Sequence, residues 1–191
     1  MKRGIRELRI IGGTLRGRKL RFPADALIRP TPDRVRETLF NWLQPYIHGA
    51  RCLDLFAGSG ALGLEALSRG AAHSVFVDAS RSAISALRAT VEQFGVTGAE
   101  FVVDDAGHYL RAPGGPFDVV FLDPPFDAGL LAPAISRLAA SGCLAVGAFC
   151  YVEIAKRHDL PVLPEGWQRY RDGAAGEVGY HLFRINPPSQ P

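Results

Sequence analysis

From residue 51 onward, short apolar runs alternate with segments whose apolar residues return every three or four positions. Residues 51–56, 74–78, 100–103 and 117–122 read as strands, apolar on consecutive positions and so covered on both faces. The segments between and after them, 61–68, 80–94, 106–110 and 128–140, carry the helical period. This alternation predicts an α/β fold with a mostly parallel, doubly covered sheet. The last third differs. Residues 148–153, 167–171 and 177–184 are strand-like, with no long helix between the last two. A Gly-rich turn over 172–176 predicts that those two pair antiparallel.

Ahead of this pattern, Ile10, Ile11, Leu15, Leu20 and Phe22 interleave with charged residues. That predicts a short β-hairpin turning at Gly12-Gly13, with arginines on its open face. Next, Thr31 is placed to cap a helix with Pro32 in its first position. Val35, Leu39, Trp42 and Leu43 recur at helical spacing, and Pro45 lies near the expected end. The chain divides into a basic arm (1–28), one α/β domain (29–186) and a Pro-rich end (187–191) expected to fray.

Composition narrows the class. The 191 residues are 47% hydrophobic and 21% charged, as in a water-soluble globular domain. No apolar run nears the roughly 18 residues a membrane span needs. The N-terminus has no apolar secretion core. Three cysteines without paired spacing predict reduced thiols, a cytoplasmic protein and no metal site. The net charge of +3 is uneven: residues 1–37 hold 11 of the 22 Lys and Arg and only four acids, giving +7, while the remainder is −4. A basic end on a mildly acidic body predicts a polyanionic partner. The five histidines neither cluster nor pair with a Ser or Cys motif, so no nucleophilic triad is expected.

Two motifs carry candidate chemistry. Gly58-Ser59-Gly60-Ala61-Leu62-Gly63 fits G-x-G-x-x-G between a strand and a helix, a turn also used by dinucleotide enzymes. Asp54, four residues before the first glycine, would repel a phosphate and attract a cationic amino-acid group. That favours S-adenosylmethionine over NAD. Asp78, ending the next strand, is placed for ribose hydroxyls, and of Asp104 and Asp105 one is placed for an adenine amine, with Asp104 the better candidate for a solvated loop acid. The second motif, Asp123-Pro124-Pro125-Phe126, follows the strand over 117–122. The Asp123 carboxylate and Pro124 carbonyl can accept the hydrogens of a nucleobase amine, and Phe126 can stack on its ring. Such acceptors hold the nitrogen lone pair toward a methyl donor. The candidate activities are therefore methylation of a base amine in RNA or DNA, NAD-dependent oxidoreduction, and RNA binding without catalysis.

Four blocks sharpen this: residues 9–20, 29–43, 53–67 and Asp123-Pro124-Pro125-Phe126. Together they resemble the bacterial 16S ribosomal RNA guanine-N2 methyltransferase family, over about residues 9–185. The resemblance implies a class I S-adenosylmethionine-dependent fold, a seven-stranded sheet with its last strand antiparallel and an N-terminal hairpin toward RNA. It implies transfer to guanine 966 of 16S rRNA, in the 30S subunit or an assembly intermediate, by a monomer. By position it assigns Asp54, Phe56, Gly58, Ser59, Gly60, Asp78, Ala79, Asp105 and Ala106 to the cofactor. Asp123, Pro124, Pro125 and Phe126 would hold the guanine, and Arg9, Arg16, Arg18, Lys19, Arg34 and Arg36 would meet RNA. Asp78 departs from the glutamate more usual at its position.

Overall fold

A computed structural model describes residues 5–23, 31–126 and 128–186; the arm boundary at 28/29 and the end at 187–191 lie outside them. Seven strands make the main sheet: β3 (Arg51–Asp54), β4 (His73–Asp78), β5 (Ala99–Val103), β6 (Phe117–Leu122), β7 (Leu144–Ala155), β8 (Trp167–Ala175) and β9 (Val178–Ile185). Their order is β5-β4-β3-β6-β7-β9-β8, and β9 alone of the seven runs against its neighbours. The expected seven-stranded arrangement is therefore present. β1 (Ile5–Arg9) and β2 (Lys19–Pro23) form a separate antiparallel pair.

The helices are α1 (Asp33–Ile47), α2 (Ala61–Ser68), α3 (Arg81–Phe94), α4 (Ala106–Tyr109) and α5 (Leu131–Ala140). On one face, α4 and α5 bury Leu110, Ile135 and Leu138 against Leu53, Val120 and Leu122 of the central strands. On the other, α1 buries Val35, Leu39, Phe40 and Leu43 against Cys52, Val119, Phe121 and Tyr151. Both faces of β3 and β6 are dry, which is why their sequence is apolar without alternation. All three cysteines are free and buried. No helix among the described residues is long and apolar enough to cross a membrane.

The glycine turn is shaped by packing as well as by conformation. Gly60 has φ +74°, and a Cβ there would strike the Leu87 side chain of α3. At Gly63 a Cβ would strike the Phe76 ring of β4. Bare backbone at both positions lets α2 lie close to its neighbours.

Of three local expectations, the first and third are corrected. The strands of the N-terminal hairpin are joined by residues 10–18 rather than by a tight turn at Gly12-Gly13. That connection is anchored on α2: Glu65 accepts the N–H groups of Ile11 and Gly12, both at 2.8 Å, and Ser68 Oγ accepts the N–H of Leu15 at 2.9 Å. Ile10, Leu15 and Leu20 are buried against Leu64, Phe76, Ile84 and Leu87. At about 2 kcal/mol per buried aliphatic side chain, this holds the hairpin on the body. Second, Pro45 lies in the last turn of α1, near the end of the helix as expected. Third, β8 continues through Gly173 to Ala175, because the bare glycine makes room for the Tyr180 ring of β9.

Candidate active site

The chain runs outward from β3 to β4 and β5 on one side, and from β6 to β7 on the other. The direction of winding switches between β3 and β6, where open α/β sheets leave a crevice at the carboxyl ends of the strands. The two motifs flank this crevice. Leu55, the first residue of the glycine loop, donates its N–H to Phe121 O at 3.2 Å, two residues short of Asp123.

On the glycine side, the acids organise backbone. Asp54 is 2% exposed and accepts the N–H of Gly63 at 3.0 Å, tying β3 to the first turn of α2. Burial lifts its pKa from 3.8 to about 7; the Gly63 bond opposes this and the Asp78 charge adds to it. Asp78 accepts from Gly58 N at 2.8 Å and from Ser80 N at 2.7 Å, clamping the glycine loop to the end of β4. One strand further, Asp105 caps α4 by accepting from Gly107 N at 2.9 Å and His108 N at 3.1 Å. Asp104, expected as a solvated loop acid, lies 2.7 Å from His108 Nδ1, and this bond holds its carboxyl below the usual range. Phe56, Gly58, Ser59 and Gly60 thus share adjacent strand ends with Asp78, Ala79, Asp105 and Ala106.

These groups fit a cationic ligand. In a dinucleotide site the glycine-turn N–H groups would face pyrophosphate. Here the Gly58 N–H is already donated to a carboxylate, and a second buried acid stands behind the turn. Phosphate would be repelled, whereas a sulfonium with an amino-acid ammonium and a ribose diol matches the donor set.

On the β6 side, Asp123 is partly exposed as a residue but turns its carboxyl inward to Thr31, and Pro124 is buried. The Pro125 carbonyl accepts from Ala128 N at 3.1 Å, closing a turn that leaves Phe126 partly exposed. Asp123 belongs to a network that sequence reasoning missed. Thr31 Oγ1 lies 3.3 Å from Asp123 Oδ2 and 2.6 Å from Glu153 Oε1. Tyr151 donates its hydroxyl to the same Glu153 oxygen at 2.8 Å. Thr31 therefore does not cap α1; Pro32 occupies that position and the threonine faces inward. Burial, with the Glu153 and Asp54 charges, pushes the Asp123 pKa well above the usual carboxylate range. Burial also raises Glu153 from 4.5 to about 7, opposed by the Thr31 and Tyr151 hydroxyls and the Arg36 charge. The available signal was Glu153 itself, a lone acid inside the apolar run of β7.

Of the residues expected at RNA, Arg9, Arg16, Arg18, Lys19 and Arg34 are exposed. Arg18 lies over the Phe94 ring at 5.0 Å, and Lys19 pairs with Glu7 at 3.1 Å. Arg36 is corrected. It is fully buried, donates to Asp33 at 2.6 Å and to Arg9 O at 2.9 Å, and lies 3.8 Å from Glu65. No phosphate reaches a side chain so enclosed. Arg36 holds α1, α2 and the hairpin together.

Comparison with known proteins follows the same lines. The family model described as Conserved hypothetical protein 95 matches residues 8–184. Ribosomal RNA small subunit methyltransferase D of Escherichia coli is 46% identical over 181 residues, 95% of this chain and 91% of that protein. The protein of the same name from Haemophilus influenzae is 43% identical over 182 residues, 93% of this chain and 94% of its own. Among solved structures, one described as a putative methyltransferase from Escherichia coli is similar at a TM-score of 0.88 and 44% identity, covering 95% of this chain and 99% of that one.

Proposed function

This chain belongs to the ribosomal RNA small subunit methyltransferase D family, and on that premise we propose that it methylates the N2 amine of guanine 966 in 16S rRNA. It is a methyltransferase dependent on S-adenosylmethionine. The observation that carries the reading is Asp123 at the switch point, held between the glycine loop of β3 and the carboxyl end of β7.

Asp54, Asp78 and the glycine loop hold the methyl donor, which when bound supplies a sulfonium-activated methyl group. Asp123 and the Pro124 carbonyl accept the amine hydrogens, favouring a pyramidal nitrogen whose lone pair faces the donor. Phe126 stacks on the base, which leaves its RNA stack to enter the crevice. The exposed cations of the hairpin and Arg34 draw phosphates to the same edge. The setting is the small subunit or an assembly intermediate in the cytoplasm, and the enzyme acts as a monomer.

The test is incubation with methyl-labelled cofactor and unmodified 30S particles, free 16S rRNA or duplex DNA. Label in N2-methylguanine at position 966 is the expected result. Label only in DNA adenine, or in another RNA, would overturn the substrate.

A further inference from the structure

An amine that gains a methyl group must lose a proton, and the side chain hydrogen-bonded to Asp123 is Thr31. The Thr31 hydroxyl carries one hydrogen but lies between two carboxyl oxygens, Asp123 Oδ2 at 3.3 Å and Glu153 Oε1 at 2.6 Å. One hydrogen cannot serve both at once. Both contacts are hydrogen bonds when Thr31 donates to one carboxyl and accepts from the other, so the trio has two interchangeable proton placements. The shorter bond, together with the Tyr151 hydroxyl, favours the ion at Glu153 before reaction.

We propose that Glu153, reached through the Thr31 hydroxyl, takes the shared proton from Asp123 so that Asp123 meets the amine as a carboxylate, and afterwards passes one proton per transfer to water. The proposal rests on the methyl-transfer reading and deepens it. The nitrogen–methyl bond forms as the sulfur–methyl bond breaks, and the sulfonium becomes a neutral thioether. The methylated nitrogen then gives a proton to Asp123. Asp123 is free to take it because it has first given the shared proton to Thr31 Oγ1 while Thr31 gave its own to Glu153 Oε1. Glu153 releases its proton to water once the product has left.

The surroundings suit a reversible acceptor. Among the described residues, the charged or titratable groups facing Glu153 are Arg36 from α1, Asp123 just after β6, Tyr151 from β7 and Tyr180 from β9, with Asp54 of β3 beyond Asp123. The Thr31 and Tyr151 hydroxyls and, after them, the Arg36 charge keep Glu153 from being permanently protonated; among the described residues Nε and Nη1 of Arg36 have no hydrogen-bond partner, and Arg36 acts on Glu153 by charge. Burial keeps Glu153 from being permanently ionised. The resulting value near 7 lets it take and release a proton at neutral pH. Thr31 and Glu153 act through Asp123 and are positioning residues.

Two measurements test this. In the protein without cofactor, carboxyl carbon NMR should show Glu153 titrating in the neutral range, and Thr31→Val should raise that titration by removing a donor to the charged form. In single-turnover methylation of the RNA substrate, Glu153→Gln should slow transfer about tenfold to hundredfold and flatten the acidic limb of the pH profile. Thr31→Val should match that loss, and Thr31→Ser should restore most of the rate. Melting temperature and S-adenosylhomocysteine affinity confirm that each variant is folded. If Glu153→Gln keeps both rate and acidic limb, or Thr31→Ser is as slow as Thr31→Val, the relay is overturned while methyl transfer stands. If the wild-type protein methylates no RNA, the parent reading falls and the relay with it.

Discussion

The carboxylate of Asp78 accepts the N–H of Gly58 at 2.8 Å, so the residue placed for ribose also fixes the glycine loop. Its other oxygen binds Ser80 N at 2.7 Å, at the start of α3. Asp78→Ala therefore removes the clamp that shapes the loop, together with the proposed ribose contact. We expect S-adenosylhomocysteine affinity to fall about tenfold to hundredfold, since hydrogen bonds to a charged group contribute about 1.5–3 kcal/mol. Asp78→Asn should lose less, because one oxygen remains an acceptor. Calorimetric titration of the three proteins checks this; equal affinities would remove Asp78 from the site.

The buried acids make stability depend on pH in a stated direction. Asp54 rises from 3.8 and Glu153 from 4.5, each to about 7, and Asp123 moves the same way. A carboxyl whose folded pKa lies above its unfolded one stabilises the fold fully below the unfolded value, and that contribution is lost as pH rises through the folded value. The cofactor-free protein should thus lose stability, on the order of a few kcal/mol, between about pH 4 and pH 7. Glu153→Gln should shrink that loss. Denaturant unfolding across the range decides; a curve unchanged by the substitution would mean that Glu153 titrates normally.

Arg36 should behave as a core residue. Removing Arg36 strands its partners Asp33 and Arg9 O and takes one of two cations from Glu65, which keeps Arg69 at 2.7 Å; lost hydrogen bonds from a charged group cost about 1.5–3 kcal/mol. We expect Arg36→Met to lower the melting temperature sharply and to loosen the hairpin, whose Ile11 and Gly12 amides share that carboxylate. Arg16→Ala, on the exposed hairpin loop, should leave melting unchanged. Equal melting temperatures for the two variants would refute the structural role.

The glycine turn, the strand-end aspartates and the Asp-Pro-Pro-Phe corner were legible in the sequence because each is local: a strand, a turn and a side chain within a few residues. The fates of Thr31, Arg36 and Glu65 were not. Thr31 suited a helix cap by pattern, but its partner Glu153 is 122 positions away. Arg36 counted toward a basic face because charge normally means surface, and only the packing of α1 on α2 encloses it. The turn at Gly12-Gly13 misled for a related reason: the glycines suit a tight hairpin, but the buried Glu65 holds that backbone on α2 instead.

Asp123 is expected to act on the base more than on the donor. Asp123→Ala should abolish methyl transfer and leave S-adenosylhomocysteine affinity within about tenfold. Phe126→Ala should weaken RNA-substrate use by about 1–3 kcal/mol, the usual value of a base-stacking aromatic. Labelled-methyl transfer and cofactor titration separate the two effects, and an Asp123→Ala protein with full activity would remove the proposed acceptor.

The hairpin's contribution to RNA binding should be chiefly electrostatic and visible as salt dependence. Arg9, Arg16, Arg18, Lys19 and Arg34 are exposed, but Lys19 is partly neutralised by Glu7 and Arg18 is held over Phe94. If three to five of them meet phosphates, log affinity against log salt should slope at about −2 to −4. Each contact removed should flatten that slope by about 0.7–0.9. Arg16→Ala is the cleaner probe, because Arg18→Ala also removes a contact between the hairpin loop and α3. The loss should be similar for different RNA sequences, since a phosphate contact carries no base information. Affinity that is flat between low and moderate salt would mean that these cations face solvent, and that the RNA is held by the crevice around Asp123 and Phe126.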